Sequence, residues 1–260
     1  MRIDKYLAAA GYTKSRKFAQ DLIDAGAVKV DGVLIKKASQ EIDHTVPHNV
    51  ELEELFKYVS RGGMKLEGAL DAFRLNVNGL KAVDVGASTG GFTDCLLKRG
   101  AKEVYAIDAG SGQLHPSLLE DKRVHSIEKF NARELTADVT DGLCDIAVAD
   151  VSFISQTYII APIASVLRDG GVFVSLIKPQ FEAGSSALGK GGIVTSSAYR
   201  YLAVKRVLTS ALENGFDCCG LMPSPITGGD GNKEYLAYFL KNSVITQKID
   251  DKIIKRITAL

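Results

Sequence analysis

Apolar positions along this chain change their period at two places. Ile3, Leu7 and Ala10 recur at helical spacing up to Gly11, and Phe18, Leu22 and Ala25 repeat the pattern up to Gly26. Runs of this kind, each closed by a glycine, predict two short helices. Val28 and Val30 then alternate with polar neighbours, and Val33 and Ile35 follow the dipeptide Asp31-Gly32. Asp-Gly tolerates the positive φ angles of a tight turn, so this stretch predicts a β-hairpin. Val50 and Leu52 offer a further strand. Between Phe56 and Gly63 the periodicity lapses and two glycines stand together, which places a linker at 58–63.

Beyond Ala82, short apolar runs at residues 82–85, 104–107, 124–127, 146–149, 172–177, 216–222 and 235–240 alternate with helical stretches. That alternation predicts a parallel sheet covered by helices. A Pro/Gly-rich loop joins the last two runs in place of a helix, which makes them antiparallel neighbours at one edge. The expected fold is α/β, a Rossmann-like sheet of seven mostly parallel strands behind a small α+β domain. The chain divides into a first domain at 1–57, the linker, a sheet domain at 64–243, and a tail at 244–260 that reads as a charged helix without an assignable role.

Composition narrows the class. A chain of 260 residues that is 46% hydrophobic can bury a full core. Its longest apolar stretch, at 158–167, contains Pro162 and falls short of the roughly 20 residues a membrane helix needs. Met1, Arg2, Ile3, Asp4 and Lys5 lack a signal-peptide core, so a cytoplasmic protein without a membrane partner is expected. Cys95 and Cys144 stand alone and Cys218 and Cys219 are adjacent, giving neither a zinc pair nor a disulfide framework. His44, His48, His115 and His125 share no ligand spacing with them, so no metal is expected. Net charge is only +1, yet residues 1–40 hold eight Lys/Arg against four Asp/Glu, while 41–57 hold one against five. A basic face on the first domain is the part of this pattern that suits nucleic acid.

Chemistry concentrates at the ends of the predicted strands. Val83-Asp84-Val85-Gly86-Ala87-Ser88-Thr89-Gly90-Gly91-Phe92 leaves a strand, turns through glycines and enters a helix. Asp108 follows about twenty residues later, at the end of the next strand, where a carboxylate can accept both hydroxyls of an adenosine ribose. By itself a three-glycine match is equally compatible with a turn that holds no ligand, and a nicotinamide enzyme is another reading. Two features favour S-adenosyl-L-methionine over a dinucleotide. Ser88 replaces the glycine that admits a pyrophosphate, and Asp84 adds a negative charge that suits a cationic cofactor. The expected cofactor residues are Asp84, Gly86, Ser88, Gly90, Gly91, Phe92, Asp108 and Asp150.

Asp150 and Lys178 each follow an apolar strand directly, Glu234 opens the last strand, and Lys65 lies beyond Gly62-Gly63 at a helix start. Taken singly, each is accounted for by a solvated charge at an element end. Their convergence on the edge where open α/β sheets bind ligands is what points to a site.

These stretches resemble a known family. Ser60-Arg61-Gly62-Gly63-Met64-Lys65-Leu66, Asp84 through Phe92, Asp150-Val151-Ser152-Phe153, Lys178-Pro179-Gln180-Phe181-Glu182, Gly191-Gly192-Ile193-Val194 and Gly231-Asn232-Lys233-Glu234-Tyr235 look like the TlyA family of two-domain ribosomal RNA 2'-O-methyltransferases, often called hemolysin A, within the wider FtsJ-like fold. The resemblance implies a catalytic tetrad at Lys65, Asp150, Lys178 and Glu234, and cytidine riboses in ribosomal RNA as substrate. Asn232 stands where the wider pattern has a serine, and Ser88-Thr89 replaces a small residue followed by proline. These departures fit the narrower family and leave the details of substrate positioning open.

A ribose hydroxyl is a poor nucleophile that must be aligned and relieved of its proton. Lys178, with its pKa lowered by Lys65 and by partial desolvation, is expected to do one or both, with Asp150 and Glu234 holding the lysines.

Residues 1–55 resemble the RNA-binding domain named after small-subunit ribosomal protein S-four. The match runs through Arg2-Ile3-Asp4-Lys5-Tyr6-Leu7, Ser15-Arg16-Lys17, Leu22-Ile23, Gly26-Ala27-Val28-Lys29-Val30 and Asp31-Gly32. Arg16 and Lys17 put cations at a helix N-terminus, where the macrodipole disfavours them unless an anion is near, and a phosphate would serve. The expected RNA contacts are Lys14, Ser15, Arg16, Lys17, Lys29, Lys36 and Lys37, made to ribosomal RNA within ribosomal subunits by a monomer or weak homodimer. The alternatives are a non-catalytic ribosome-assembly factor that keeps the cofactor fold and a membrane-active lysin, the latter without an apolar or amphipathic segment to support it. A pseudouridine synthase shares only the small first domain, because the second half here carries a parallel-sheet pattern and a cofactor loop.

Overall fold

The apolar positions separate into two cores, one within Met1–Arg61 and one within Gly62–Leu260. The computed structural model describes residues 1–13, 15–24, 26–52, 57–228, 231–243 and 249–260.

In the first unit, α1 (Ile3–Ala9) and α2 (Arg16–Asp24) precede β1 (Val28–Val30), β2 (Val33–Leu34) and β3 (Val50–Leu52). Ser15 caps α2, its Oγ accepting from the Phe18 N–H at 3.1 Å. Asp31 and Gly32 take φ of 50° and 76°, the pair of positive angles that joins β1 to β2 in a two-residue hairpin. The three strands lie antiparallel in the order β2-β1-β3. Ile3, Leu7, Leu22, Ile23, Val28 and Ile35 fill the space between helices and sheet.

The second unit opens with α3 (Gly62–Ala72) and continues β4 (Lys81–Val85), α4 (Gly91–Lys98), β5 (Glu103–Ile107), α5 (Pro116–Leu119) and β6 (Val124–Ile127). It then runs β7 (Cys144–Ala149), α6 (Ile160–Val166), β8 (Leu167–Ile177), α7 (Pro179–Glu182), α8 (Ser197–Glu213), β9 (Phe216–Pro223), β10 (Tyr235–Lys241) and α9 (Asp251–Ala259). The seven strands order as β6-β5-β4-β7-β8-β10-β9, and only β10 runs against its neighbours. The chain moves outward from β4 through β5 to β6, then returns to β7 on the other side. That reversal leaves a crevice at the carboxyl ends of the strands, where ligands of open sheets bind. Val83, Ile107, Ala147, Phe173 and Phe239 are buried along the strands.

Sequence pattern places a tail after residue 243. In the structure α9 packs on α8 and β9 and buries Ile254 and Ile257, so this helix belongs to the core of the second unit. Residues 244–248 of that segment lie outside the described residues. Among the described residues no helix is long and apolar enough to cross a membrane.

Candidate active site

The turn after β4 is shaped by close approach. Gly86, at φ 85°, sits where a Cβ would lie 2.8 Å from the Asp150 carbonyl oxygen, so a side chain there would push the β4 and β7 ends apart. The same crossing is tied by the Asp150 N–H donating to the Val85 carbonyl at 3.1 Å. Beside it opens a cleft of about 380 Å³ lined by Gly86, Ser88, Ile107, Asp108, Gln113, Phe130, Asn131 and the segment from Asp150 to Ile154.

Of the residues expected to hold a cofactor, Gly86, Ser88, Asp108 and Asp150 line this cleft, whereas Asp84, Gly90, Gly91 and Phe92 do not. Gly90 makes room for protein: a Cβ there would fall 2.2 Å from Leu118 Cδ1 and 2.8 Å from Leu114 Cδ1. Gly91 and Phe92 open α4 and are buried. Asp84 lies wholly inside the protein, one oxygen accepting from Thr93 Oγ1 at 2.7 Å and the other, Oδ1, without a hydrogen-bond partner. Burial pushes its carboxyl up to about 7, the Thr93 hydrogen bond opposes this, and the charges of Asp150 and Asp108 add to it.

Asp108 holds the loop as well as facing the cleft. Its two oxygens accept from the backbone N–H groups of Ser88 and Gly110, both at 2.7 Å. Each carboxylate oxygen retains a lone pair for a further donor. Ser88, at φ 47°, donates its hydroxyl to Gln113 Oε1 at 3.1 Å, which fixes the other side of the turn.

The four expected catalytic side chains form two ion pairs. Lys178 Nζ lies 2.6 Å from Asp150 Oδ1 and donates to Ser152 Oγ at 2.8 Å. Lys65 Nζ, in the first turn of α3, donates to Glu234 Oε2 at 2.6 Å. Tyr235 pairs with Ile177 across the β8–β10 ladder, so Glu234 and Lys178 are the next residues outward on adjacent strand ends. The pairs therefore sit side by side on the rim, each amine against its own carboxylate. Among the described residues the hydrogen-bonding and ion-pair partners of Lys65 and Lys178 are Glu234 on one side and Asp150 and Ser152 on the other.

Several residues to which the sequence reading gave no role lie around the site. Phe153 is 92% exposed, takes φ 64°, and sets its ring 5.2 Å from that of Phe181 at the mouth of the cleft. An apolar residue just after a strand reads as core, so its exposure is not legible in the pattern. Glu182 is buried and accepts from Ser155 Oγ at 2.6 Å and Gln156 N–H at 2.7 Å, bolting the segment after β7 to α7. Asn232 accepts from Val194 N–H at 3.0 Å and donates to the Gly192 carbonyl at 3.1 Å, joining two of the sequence stretches singled out above. Among the described residues no group of His, Cys, Asp and Glu forms a candidate metal site.

On the first unit Arg16 stands at the start of α2 as expected, with Lys36 and Lys37 exposed beyond the hairpin. Lys29 lies on β1 and Ser15 is the helix cap. Lys14 lies outside the described residues, as does the side chain of Lys17. An anion for Arg16 is supplied by the chain itself, which the sequence reading left to a phosphate. Asp4 is fully buried and accepts from Arg16 Nη2 at 3.1 Å, Arg2 Nη2 at 3.0 Å, Arg2 Nε at 3.1 Å and Gln20 Nε2 at 2.7 Å. Burial opposes ionisation of Asp4, but the hydrogen bonds from Gln20, Arg16 and Arg2 outweigh it and hold the carboxyl at about 2. The two guanidinium groups stay about half exposed while their inner edges are fixed.

Comparison with known proteins agrees with this geometry. Residues 58–241 match the FtsJ-like methyltransferase family and residues 1–45 match the S4 domain. A Brachyspira hyodysenteriae protein named "Hemolysin A" is 45% identical over 241 residues, spanning 92% of this chain and 100% of its own. The Mycobacterium tuberculosis (strain ATCC 25618 / H37Rv) protein named "16S/23S rRNA (cytidine-2'-O)-methyltransferase TlyA" is 42% identical over 238 residues, 91% of this chain and 88% of its own. A solved chain from Streptococcus thermophilus superposes with a TM-score of 0.80 at 41% identity, covering 100% of this chain and 94% of that one.

Proposed function

Because the chain belongs to the FtsJ-like methyltransferase family and carries an S4 domain ahead of its methyltransferase domain, we propose that it methylates ribose 2'-hydroxyls of cytidines in ribosomal RNA within ribosomal subunits, in the cytoplasm, with S-adenosyl-L-methionine as donor. The observation that carries this reading is the pair of lysine–carboxylate contacts, Lys178–Asp150 and Lys65–Glu234, on neighbouring strand ends beside a cleft that Asp150 lines and that suits a cationic adenosine compound.

The fit to that compound rests on three features. Asp108 retains acceptor capacity for ribose hydroxyls, Gly86 with Ser88 brings backbone to the cleft wall, and Asp84, two residues before Gly86 and not itself in the lining, keeps a buried carboxyl oxygen without a partner. The bound donor supplies an electrophilic methyl group on a sulfonium sulfur. The protein's own part is to seat and align the nucleophile. Phe153, exposed beside the cleft in a left-handed backbone conformation, offers an aromatic face against which the target base stacks. Lys178 would align the ribose oxygen and the Asp150 carboxylate beside it would receive the hydroxyl proton as the methyl–oxygen bond forms and the methyl–sulfur bond breaks, the sulfur leaving as a neutral thioether. Lys65 and Glu234 fix the neighbouring strand end. On the first unit, Arg2 and Arg16 present their outer guanidinium edges to phosphates and Lys29, Lys36 and Lys37 add to the field.

The test is transfer of labelled methyl from S-adenosyl-L-methionine to separated ribosomal subunits, with the modified ribose mapped. Label is expected on cytidine riboses. Lys178→Ala should lower turnover by about 10²- to 10⁴-fold while still binding the donor. Wild-type protein that binds the donor yet labels neither subunit would favour an assembly factor, and normal turnover by Lys178→Ala would remove that lysine from the chemistry.

A further inference from the structure

The carboxylate of Glu234 is held by a segment with little core of its own. Gly228 comes so close to it that a Cβ would lie 2.6 Å from Glu234 Oε1, and the Gly228 N–H donates to the Asn232 carbonyl at 2.9 Å. The Asn232 side chain, 2% exposed, reaches away from the rim and grips the backbone at Gly192 and Val194. That backbone is gripped in turn from behind. Arg200 of α8, 5% exposed, donates from Nη1 to the Thr195 carbonyl at 2.6 Å and to the Val194 carbonyl at 3.5 Å. Its Nε and Nη2 both donate to the Thr258 carbonyl in the last turn of α9, at 3.1 and 2.9 Å.

A buried guanidinium normally faces a carboxylate. Among the described residues Arg200 has no such partner; its hydrogen bonds go to backbone carbonyls, one of them at the negative end of a helix, and its charge also acts on the nearby Tyr235 hydroxyl. A fork of five fixed donors can join several carbonyls that a lysine ammonium would reach less completely. We infer that Arg200 is a positioning residue for methyl transfer, tying α9 through Val194 and Asn232 to the segment that orients Glu234 toward Lys65. On this reading the C-terminal helix is part of the reaction's scaffold, because the rim geometry it stabilises is one where displacement by about 1 Å costs on the order of 10²-fold in rate.

This inference rests on the proposed methyl transfer, and its test has an arm that does not. In full-length protein, Arg200→Met should lower kcat with ribosomal subunits about 10- to 100-fold, while KM for the subunits and the dissociation constant for S-adenosyl-L-methionine stay within about twofold. In a Glu234→Gln background the same substitution should cost less than about threefold, because residues acting through one group are not additive. Independently of activity, hydrogen exchange should quicken in peptides covering 190–196 and 231–241. A wild type that transfers no methyl defeats the functional reading alone, and the exchange result then decides the coupling. Equal loss in both backgrounds, a loss confined to KM, or unchanged exchange at 231–241 would overturn the role of Arg200. Should Arg200→Met fail to fold, Asn232→Ala cuts the same connection nearer the rim, and the same kinetic split, non-additivity and exchange pattern decide it.

Discussion

Asp84 shows how burial alters one carboxyl group at the start of the proposed cofactor loop. With no solvent contact and one oxygen left unpartnered, it ionises with difficulty. Its ordinary value of 3.8 rises to about 7 in the fold, through burial first and then the charges of Asp150 and Asp108, against the Thr93 hydrogen bond. The folded protein thus keeps a proton over an interval in which the unfolded chain has released it. Its stability contribution is complete below about pH 4 and is lost as pH rises through about 7. Asp84→Asn cannot titrate. In melts without ligand, the difference in Tm between variant and wild type should therefore grow more positive from pH 4 to pH 7 and level off above. At pH 8 it should correspond to a gain, relative to pH 4, on the order of a few kcal/mol. The same variant should bind S-adenosyl-L-methionine more weakly. A difference in Tm that is flat across this range would show that Asp84 is ionised normally in the fold.

Elements reveal which parts of the molecule pattern alone could disclose. In α9 four of nine residues are charged, yet Ile254 and Ile257 pack into the core beside α8 and β9 at 4% and 8% exposure. Ile257→Ala should cost about 2–4 kcal/mol in denaturant unfolding, the range for emptying a packed aliphatic site; a loss below about 0.5 kcal/mol would mean the helix is merely laid on the surface. Strand positions were legible because buried parallel strands are continuous apolar runs. The start of β8 was not, since Arg168, Asp169, Gly170 and Gly171 carry no apolar signal and form an irregularity between the paired Leu167 and Val172. Asp150 and Lys178 could be picked out locally, as charges directly after strands. The contact of Lys65 with Glu234 spans 169 positions: each residue stood out as a charge at an element end, but nothing local marked that they touch. Gly90 misleads for a related reason. A missing side chain does not say whether it makes room for a ligand or, as here, for Leu114 and Leu118.

At the scale of the whole molecule, near-neutrality conceals a division of labour. Net charge is +1, while residues 1–40 carry twice as many basic as acidic side chains, so the proposed affinity of the first unit for RNA would draw on placed charges. Asp4 does the placing there. It is the shared anchor of Arg2 and Arg16, and as a fully buried group it cannot itself touch RNA. Asp4→Asn keeps the shape and removes the charge that holds both guanidinium groups, so it should weaken subunit binding without altering the methyltransferase unit. The expected signature is a raised KM for ribosomal subunits, unchanged kcat at saturation and unchanged affinity for S-adenosyl-L-methionine. A second sign is physical. If two oriented phosphate contacts are lost, the slope of log affinity against log salt should shrink by about one to two. Some loss of local stability, about 1–3 kcal/mol for a buried hydrogen-bond network left short of its acceptor, accompanies this and can be followed separately in hydrogen exchange of residues 1–24. A variant that binds subunits with undiminished affinity and an unchanged salt slope would show that the two arginines engage RNA without help from Asp4, or do not engage it at all.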